Sequence, residues 1–357
     1  MIGNMKRDIN LFYMKKLLIF TFLAALPFAG CTKKQESATD TIPNIIFETD
    51  IGNDVDDALA LDMIYKYLDA GKINLLAASS NKESRYSTEY IDLMNRWYGY
   101  PDIPIAKVIK GIDSENDARK YAEFVCLQKD STGQPLFPRP AFDYEAVPEA
   151  VSLYRKLLAE QPDHSVTIVS VGFSTNIFRL LQSGADEYSP LSGRELIAKK
   201  VKLLSMMAGS FGENRLAEYN VVKDIPAAQI IADSWPGPIV FTPFEAGIAV
   251  KYPAASIEND FKWAARHPVV EAYKHYLDMP YDRPTWDLIA LLYVVENSPE
   301  YFTESAAGKI SVDDKGYTSF SAEPDGPHRY LTLDSTQAER TRQHFVELIT
   351  AQPKNRN

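Results

Sequence analysis

The stretch Asn44–Leu61, NIIFETDIGNDVDDALAL, constrains the chain most, because an apolar run enters it and an apolar-faced run leaves it. Asn44-Ile45-Ile46-Phe47 reads as a buried parallel strand, Gly52 lets the chain turn sharply, and Val55, Ala58, Leu59 and Met63 recur on one helical face. Glu48, Asp50, Asp54, Asp56 and Asp57 therefore cluster at one strand-to-helix turn. In open α/β sheets that edge is where ligands bind, since its loops carry chemistry while the sheet stays rigid. A cap from Asp54 and dipole pairing of Asp56 and Asp57 would stabilise the helix by roughly 0.3–1 kcal/mol each. Asp50, at the strand end, is outside that account. Ionised carboxylates this close repel unless something positive sits among them, so a hard cation held by oxygens is the sharper reading.

Beyond this turn, strand and helix patterns alternate. Ile73–Ser80, Ile103–Val108 and Ser165–Val171 read as strands, with Ser84–Trp97 and Val147–Glu160 as helices between them. Val201–Leu204 and Ile239–Thr242 continue the series. Such alternation predicts an α/β fold: a mainly parallel, Rossmann-like central sheet with helices on both faces, each strand delivering its loop to the same edge. From Tyr301 to Asp334, Gly308, Asp313-Asp314-Lys315-Gly316 and Asp325-Gly326 punctuate short alternating runs, which predicts a C-terminal antiparallel hairpin region. Ser335–Ala351 reads as a closing helix capped by Ser335.

The first 31 residues differ from the rest. Met14-Lys15-Lys16 precedes the apolar run Leu17–Phe28, and Ala29-Gly30-Cys31 follows. The run is too short for a membrane span, and the pattern is that of a bacterial signal peptide ending at a lipidated Cys31. Residues 32–42 read as a flexible tether and 43–353 as one catalytic domain, anchored to the bacterial cell envelope through lipid alone. The net charge of −10 argues against nucleic acid or an anionic membrane surface as a partner. With Cys31 lipidated, Cys126 has no mate for an intrachain disulfide. No C-x-x-C or H-E-x-x-H pattern is present, which removes the usual zinc sites.

Four loops fall on the carboxyl edge. Beside the acid turn stand Ser79–Ser84, with Asn81; Ser170–Asn176, with Thr175; and Met206–Asn220, with Asn214, Glu218 and Asn220. Ser84 and Ser174 or Thr175 have plain roles as helix caps, and a Met-Met pair is ordinarily core filler. Glu218-x-Asn220 is less easily explained as packing: on an extended loop it sets an acceptor and a donor on one side. Asp282–Ala290 reads as a helix start, with Pro284 in the first turn and Asp287 just inside.

Asp50-Ile-Gly-Asn-Asp-Val-Asp56-Asp57-Ala-Leu-Ala-Leu resembles the Asp-Pro-Gly-x-Asp-Asp-Ala signature of the inosine–uridine nucleoside hydrolases, lengthened by two residues. Asp50 and Asp57 are fixed by their flanks, while either Asp54 or Asp56 can stand for the middle acid. Gly172-Phe-Ser-Thr175-Asn176 resembles the family's Gly-x-x-Thr-Asn turn, and Asn214 with Glu218-x-Asn220 resembles its Asn…Glu-x-Asn segment. Asp287 stands where the family has its closing calcium ligand, and the four motifs occur in family order over nearly all of the chain after the leader. The resemblance implies hydrolysis of the N-glycosidic bond of ribonucleosides to ribose and free base. It implies Ca²⁺ held by Asp50, Asp57, the Thr175 carbonyl and Asp287, with Asp50 taking the proton of the attacking water. It implies a ribose gripped by Asp56, Asn81, Asn214, Glu218 and Asn220.

One position departs from part of the family, in which a His that helps protonate the leaving base precedes the last Asp. Here it is Trp286, which can stack on a base but cannot act as an acid at neutral pH. Of the five histidines only His267 and His275 lie in a segment near the site edge, and Tyr281 and Asp282 are further neighbours. A second proton donor is expected from the segment 263–282. The missing His also supports an alternative, a non-catalytic nucleoside- or ribose-binding lipoprotein. In either case the partner is a small ribonucleoside, with a homo-oligomer possible.

Overall fold

A computed structural model of the chain describes residues 42–112 and 119–354. The leader, Cys31 and all but the last residue of the tether lie outside the described residues. No described helix is long and apolar enough to cross a membrane.

The strands are β1 (Asn44–Thr49), β2 (Asn74–Ser80), β3 (Ile105–Ala106), β4 (Val166–Val171), β5 (Val201–Met207), β6 (Ile239–Thr242), β7 (Lys251–Tyr252), β8 (Arg283–Pro284), β9 (Thr303–Glu304), β10 (Gly308–Val312), β11 (Thr318–Ala322) and β12 (His328–Thr332). In the main sheet the order is β11-β10-β12-β6-β5-β4-β1-β2-β3, and β9 pairs with β12. From β3 to β6 every pairing is parallel. The order runs outward from β1 to β3 on one side and from β4 to β6 on the other, so it reverses between β1 and β4. That is the switch point at which loops diverge and leave a crevice. β1 ends in the acid turn and β4 ends in the Gly172–Thr175 turn, so both motifs open into one crevice.

Alternation along β1 divides the core. Ile45 and Phe47 face one layer with the helices Asp56–Asp69 and Trp286–Val295, including Leu59, Leu61 and Leu288. Ile46 faces the other with Tyr154, Ile168, Leu180 and Leu204. Being buried on both faces is why these strands carry near-continuous apolar runs. By the same period Glu48 falls on the Ile46 side and Thr49 on the Phe47 side.

The expected helices and strands are present with shifted ends. The strand expected at Ile103–Val108 is only Ile105–Ala106, because just Ala78 and Ser79 of β2 pair with it. Pro284 does not open a helix. It pairs with Lys251 in the short β7–β8 ribbon, and the helix begins at Trp286 after the Thr285 amide has bonded to the Gly247 and Val250 carbonyls. The closing helix, Ser335–Thr350, is capped by Asp334 and not Ser335, since Asp334 and Gln337 exchange side-chain bonds with each other's amides. The C-terminal region contains the antiparallel β10–β11 hairpin, and β12 joins the main sheet parallel to β6.

Candidate active site

Over the crevice lies a cavity of about 530 Å³, walled by Asp50, Asp54, Asp56, Asp57 and Asp287 at one end and by Phe244, Tyr276 and Trp286 at another. The acid end is assembled from two helix starts. Asp56 and Asp57 open the helix Asp56–Asp69, and Asp287 is the second residue of Trp286–Val295. The amide of Asp287 donates to Asp56 Oδ2 at 3.2 Å, and the Thr49 hydroxyl donates to Asp57. Asp50 accepts from Asn53 Nδ2 at 2.5 Å.

Asp56, Asp57 and Asp287 are buried and each offers an oxygen within 4.8 Å of the others. Burial, and then their mutual repulsion with Asp50 and Asp54, pushes all three carboxyls well above the usual range. Burial likewise pushes Asp50 up to about 6. Helix N-termini and the two donors relieve part of that charge, and a cation among the three carboxylates would relieve the rest, so this donor set fits a hard, oxygen-liking metal.

Of the two acids that could stand in the middle of the turn, Asp56 joins the buried cluster. Asp54 turns to the rim, where Arg283 Nε donates to its Oδ1 at 2.8 Å and Arg283 Nη2 bonds Oδ2. Glu48 belongs to neither end: under the sheet edge it accepts from Ser170 Oγ at 2.7 Å and Tyr154 Oη at 2.9 Å, and burial pushes it up to about 7.

Glu218 and Asn220 line the cavity. Glu218 caps the helix Tyr219–Lys223, accepting from the Asn220, Val221 and Gly209 amides, and burial pushes its carboxyl up to about 7. Asn220 Nδ2 donates to the Met207 carbonyl at 3.2 Å, which leaves Oδ1 as its free end. Asn81 and Thr175 are buried beside the cavity and are not in its wall. Asn81 Nδ2 reaches Glu48 at 3.4 Å, and its Oδ1 has no partner. A Cβ on Gly172 would meet that oxygen at 2.4 Å and Asp50 N and Oδ1 at 2.7 Å, so Asn81 and Asp50 close over the same glycine. Thr175 donates its hydroxyl to Asp224 at 2.5 Å, so its backbone oxygen is what it can give a metal. Asn176 ties this turn to the Ser80 carbonyl at 3.2 Å. Asn214 is exposed on the loop ahead of Leu216, outside the cavity wall.

At the aromatic end Trp286 is half-buried. Its Nε1–H donates to the Phe244 carbonyl at 3.0 Å, its ring stacks on Phe244 at 5.6 Å, and Gly247 packs against it. The Arg283 guanidinium lies 5.4 Å from the Trp286 ring and 5.2 Å from that of Tyr276, and donates to Tyr276 Oη at 3.1 Å. Among the described residues no histidine lines the cavity. His267 is buried against Asp62, Tyr98 and Trp97, and His275 stacks on Phe124. Tyr281 donates to the Tyr273 carbonyl and Asp282 accepts from the Ala254 amide, so both serve the scaffold. Sequence reading missed Asn53, Phe244, Tyr276 and Arg283. Asn53, inside the lengthened turn, was the one with a local signal.

The sequence profile of the family described as inosine-uridine preferring nucleoside hydrolase matches residues 45–348. The chain belongs to that family and is thus an enzyme that hydrolyses N-glycosyl compounds, and the binding-only alternative is not favoured. No curated protein matches it. Among solved structures it is similar to a plant nucleoside hydrolase, PpNRh1, at 20% identity and TM-score 0.67, over 87% of this chain and 100% of that one. It is also similar to a purine-preferring ribonucleoside hydrolase from Gardnerella vaginalis at 15% identity and TM-score 0.66, over 86% and 98%. A third is the inosine-uridine preferring nucleoside hydrolase from Bacillus anthracis, at 16% identity and TM-score 0.63, over 86% and 99%. At these identities the likeness is one of fold.

Proposed function

We propose that the protein is a calcium-dependent nucleosidase that splits ribonucleosides into ribose and free base. The observation that carries this reading is the buried Asp56–Asp57–Asp287 cluster beside Glu218 and Asn220, in one cavity at the switch point of the sheet. Asp50, Asp57, Asp287 and the Thr175 carbonyl would hold the ion. When bound, Ca²⁺ supplies positive charge among these oxygens and Lewis acidity toward water.

The chain's own residues do the remainder. Asp50 takes the proton of the attacking water. Asp56, Glu218 and Asn220 grip the ribose hydroxyls, and that binding can be used to reach an oxocarbenium-like transition state. Asn81, packed against Asp50, holds the base in register. Phe244 and Trp286 give the nucleobase an apolar seat. The exposed Asn214 would join only if its loop folds inward on the sugar. The deciding experiment follows ribose release from inosine, uridine and related nucleosides with and without EDTA. Turnover that EDTA abolishes and Ca²⁺ restores supports the reading, and undiminished turnover in EDTA refutes the metal.

The same proposal places the enzyme in the bacterial cell envelope, lipid-anchored through Cys31, with residues 43–353 as the catalytic domain. Cys31→Ala is expected to move the protein out of the membrane fraction with kcat/KM unchanged. A single acyl chain holds only marginally, so several are implied.

A further inference from the structure

Among the described residues no histidine stands in the cavity wall, yet departure of a nucleobase as an anion is unfavourable at neutral pH. The aromatic end offers another donor. Tyr276 lines the cavity at the end of the helix Pro268–Tyr276, and its hydroxyl oxygen accepts from Arg283 Nη2 at 3.1 Å. A phenol oxygen occupied as an acceptor still carries its own proton, and no described residue takes that proton. Arg283 is held in turn by Asp54, at the rim of the acid turn, through two bonds. Tyr121 fixes that lengthened turn by accepting from the Gly52 amide and donating to the Asp54 carbonyl, both at 2.8 Å.

We propose that Tyr276 gives its proton to the departing base, with Arg283 and Asp54 as positioning residues. This rests on the nucleosidase reading above. As the C1′–N bond breaks, its electron pair goes to the base. The Tyr276 proton passes to a ring nitrogen, water adds to C1′ and gives its own proton to Asp50. The phenolate, beside the Arg283 guanidinium, is reprotonated from solvent to which Asp50 returns its proton, so the sum is nucleoside plus water to ribose plus base. A phenol carries its proton at neutral pH, and burial, which raises the Tyr276 hydroxyl above its ordinary range, makes that proton harder to give up. The guanidinium opposes that rise and stabilises the phenolate as it forms.

The test compares inosine with p-nitrophenyl riboside, whose leaving group needs no proton. Tyr276→Phe is expected to lower kcat on inosine roughly a hundredfold, the low end of general acid catalysis, and on p-nitrophenyl riboside by less than about threefold. Asp54→Asn and Arg283→Lys should lower the inosine to p-nitrophenyl riboside ratio of kcat by an intermediate factor while KM stays within about threefold, a split that a purely structural role would not produce. The rise in Tm on adding Ca²⁺, equal to that of the wild type, checks that each variant is folded. Equal losses on both substrates, or an unchanged inosine rate in Tyr276→Phe, overturn the assignment while the nucleosidase reading stands. A wild type that turns over neither substrate overturns both.

Discussion

The two ends of the cavity are built in opposite ways. At the acid end the working groups sit at fixed offsets inside short motifs: Asp50 to Asp57 in one turn, and Asp287 at a helix start. At the aromatic end Tyr276, Arg283 and Phe244 come from three separate segments, with Asp54 reaching Arg283 from the rim of the acid turn, and only their packing makes them a set. On the proposed reading the acid end serves the sugar and the water, and the other end, with Trp286 in its wall, serves the leaving group. If that division is right, damage to the acid end lowers turnover of every riboside alike, and damage to the aromatic end separates substrates by their leaving groups.

The largest effect is expected from Asp287→Asn. It removes one charged oxygen from a three-carboxylate cluster and so weakens both the ion and everything the ion organises. Turnover of inosine and of p-nitrophenyl riboside should fall together by more than about a hundredfold, beyond what loss of a supporting group outside the ligand shell costs. Calorimetric Ca²⁺ affinity should fall with it. Asp54→Asn is the contrast: it should leave Ca²⁺ affinity within a few-fold, because that carboxylate is spent on Arg283. Equal loss of affinity in the two variants would erase the division drawn here.

A smaller but still uniform loss is expected from Gly172→Ala. The added methyl would sit 2.4 Å from Asn81 Oδ1 and 2.7 Å from both Asp50 Oδ1 and the Asp50 backbone nitrogen, so both side chains and the backbone at Asp50 must give way. A shift of the proposed general base should lower kcat on both ribosides about tenfold to a hundredfold, as displacement of supporting groups does. A change in the ratio of the two rates would show that Gly172 also shapes the leaving-group end.

How much of this was legible beforehand follows from the same contrast. The switch-point crevice could be expected from alternating apolar runs, since burial on both faces leaves that mark on β1, β4 and β5. The acid cluster could be expected because like charges crowded into a turn demand a reason. Choosing Asp56 over Asp54 could not, because it depends on Arg283, 229 residues away. Tyr276 was hidden for a related reason: at the end of the apolar helix Pro268–Tyr276 its ring reads as core, and it is indeed mostly buried, although it lines the cavity. Asn81 and Glu48 show a subtler limit. Parity along β1 sends Glu48 to the far side of the sheet, and Asn81 then follows Glu48 into the interior beneath Asp50.

The smallest effect, and the one that most sharpens the comparison, belongs to Trp286→Ala. Its indole N–H is committed to the Phe244 carbonyl and its ring is held between Phe244 and Gly247 with the Arg283 guanidinium over it, so little of the ring remains free to polarise a base. What the ring does hold is the guanidinium, through an interaction of about 0.5–2 kcal/mol. Removing it should loosen Arg283 without releasing it, because Asp54 still binds it. The expected result is a fall in kcat on inosine of no more than about thirtyfold, the factor that 2 kcal/mol allows. The rate on p-nitrophenyl riboside should change by less than about threefold, and combining Trp286→Ala with Arg283→Lys should add little, since both act on one guanidinium. If the two losses instead multiply in full, Trp286 polarises the base as well as seating it, and the aromatic end contains two devices for leaving-group departure where the geometry shows one.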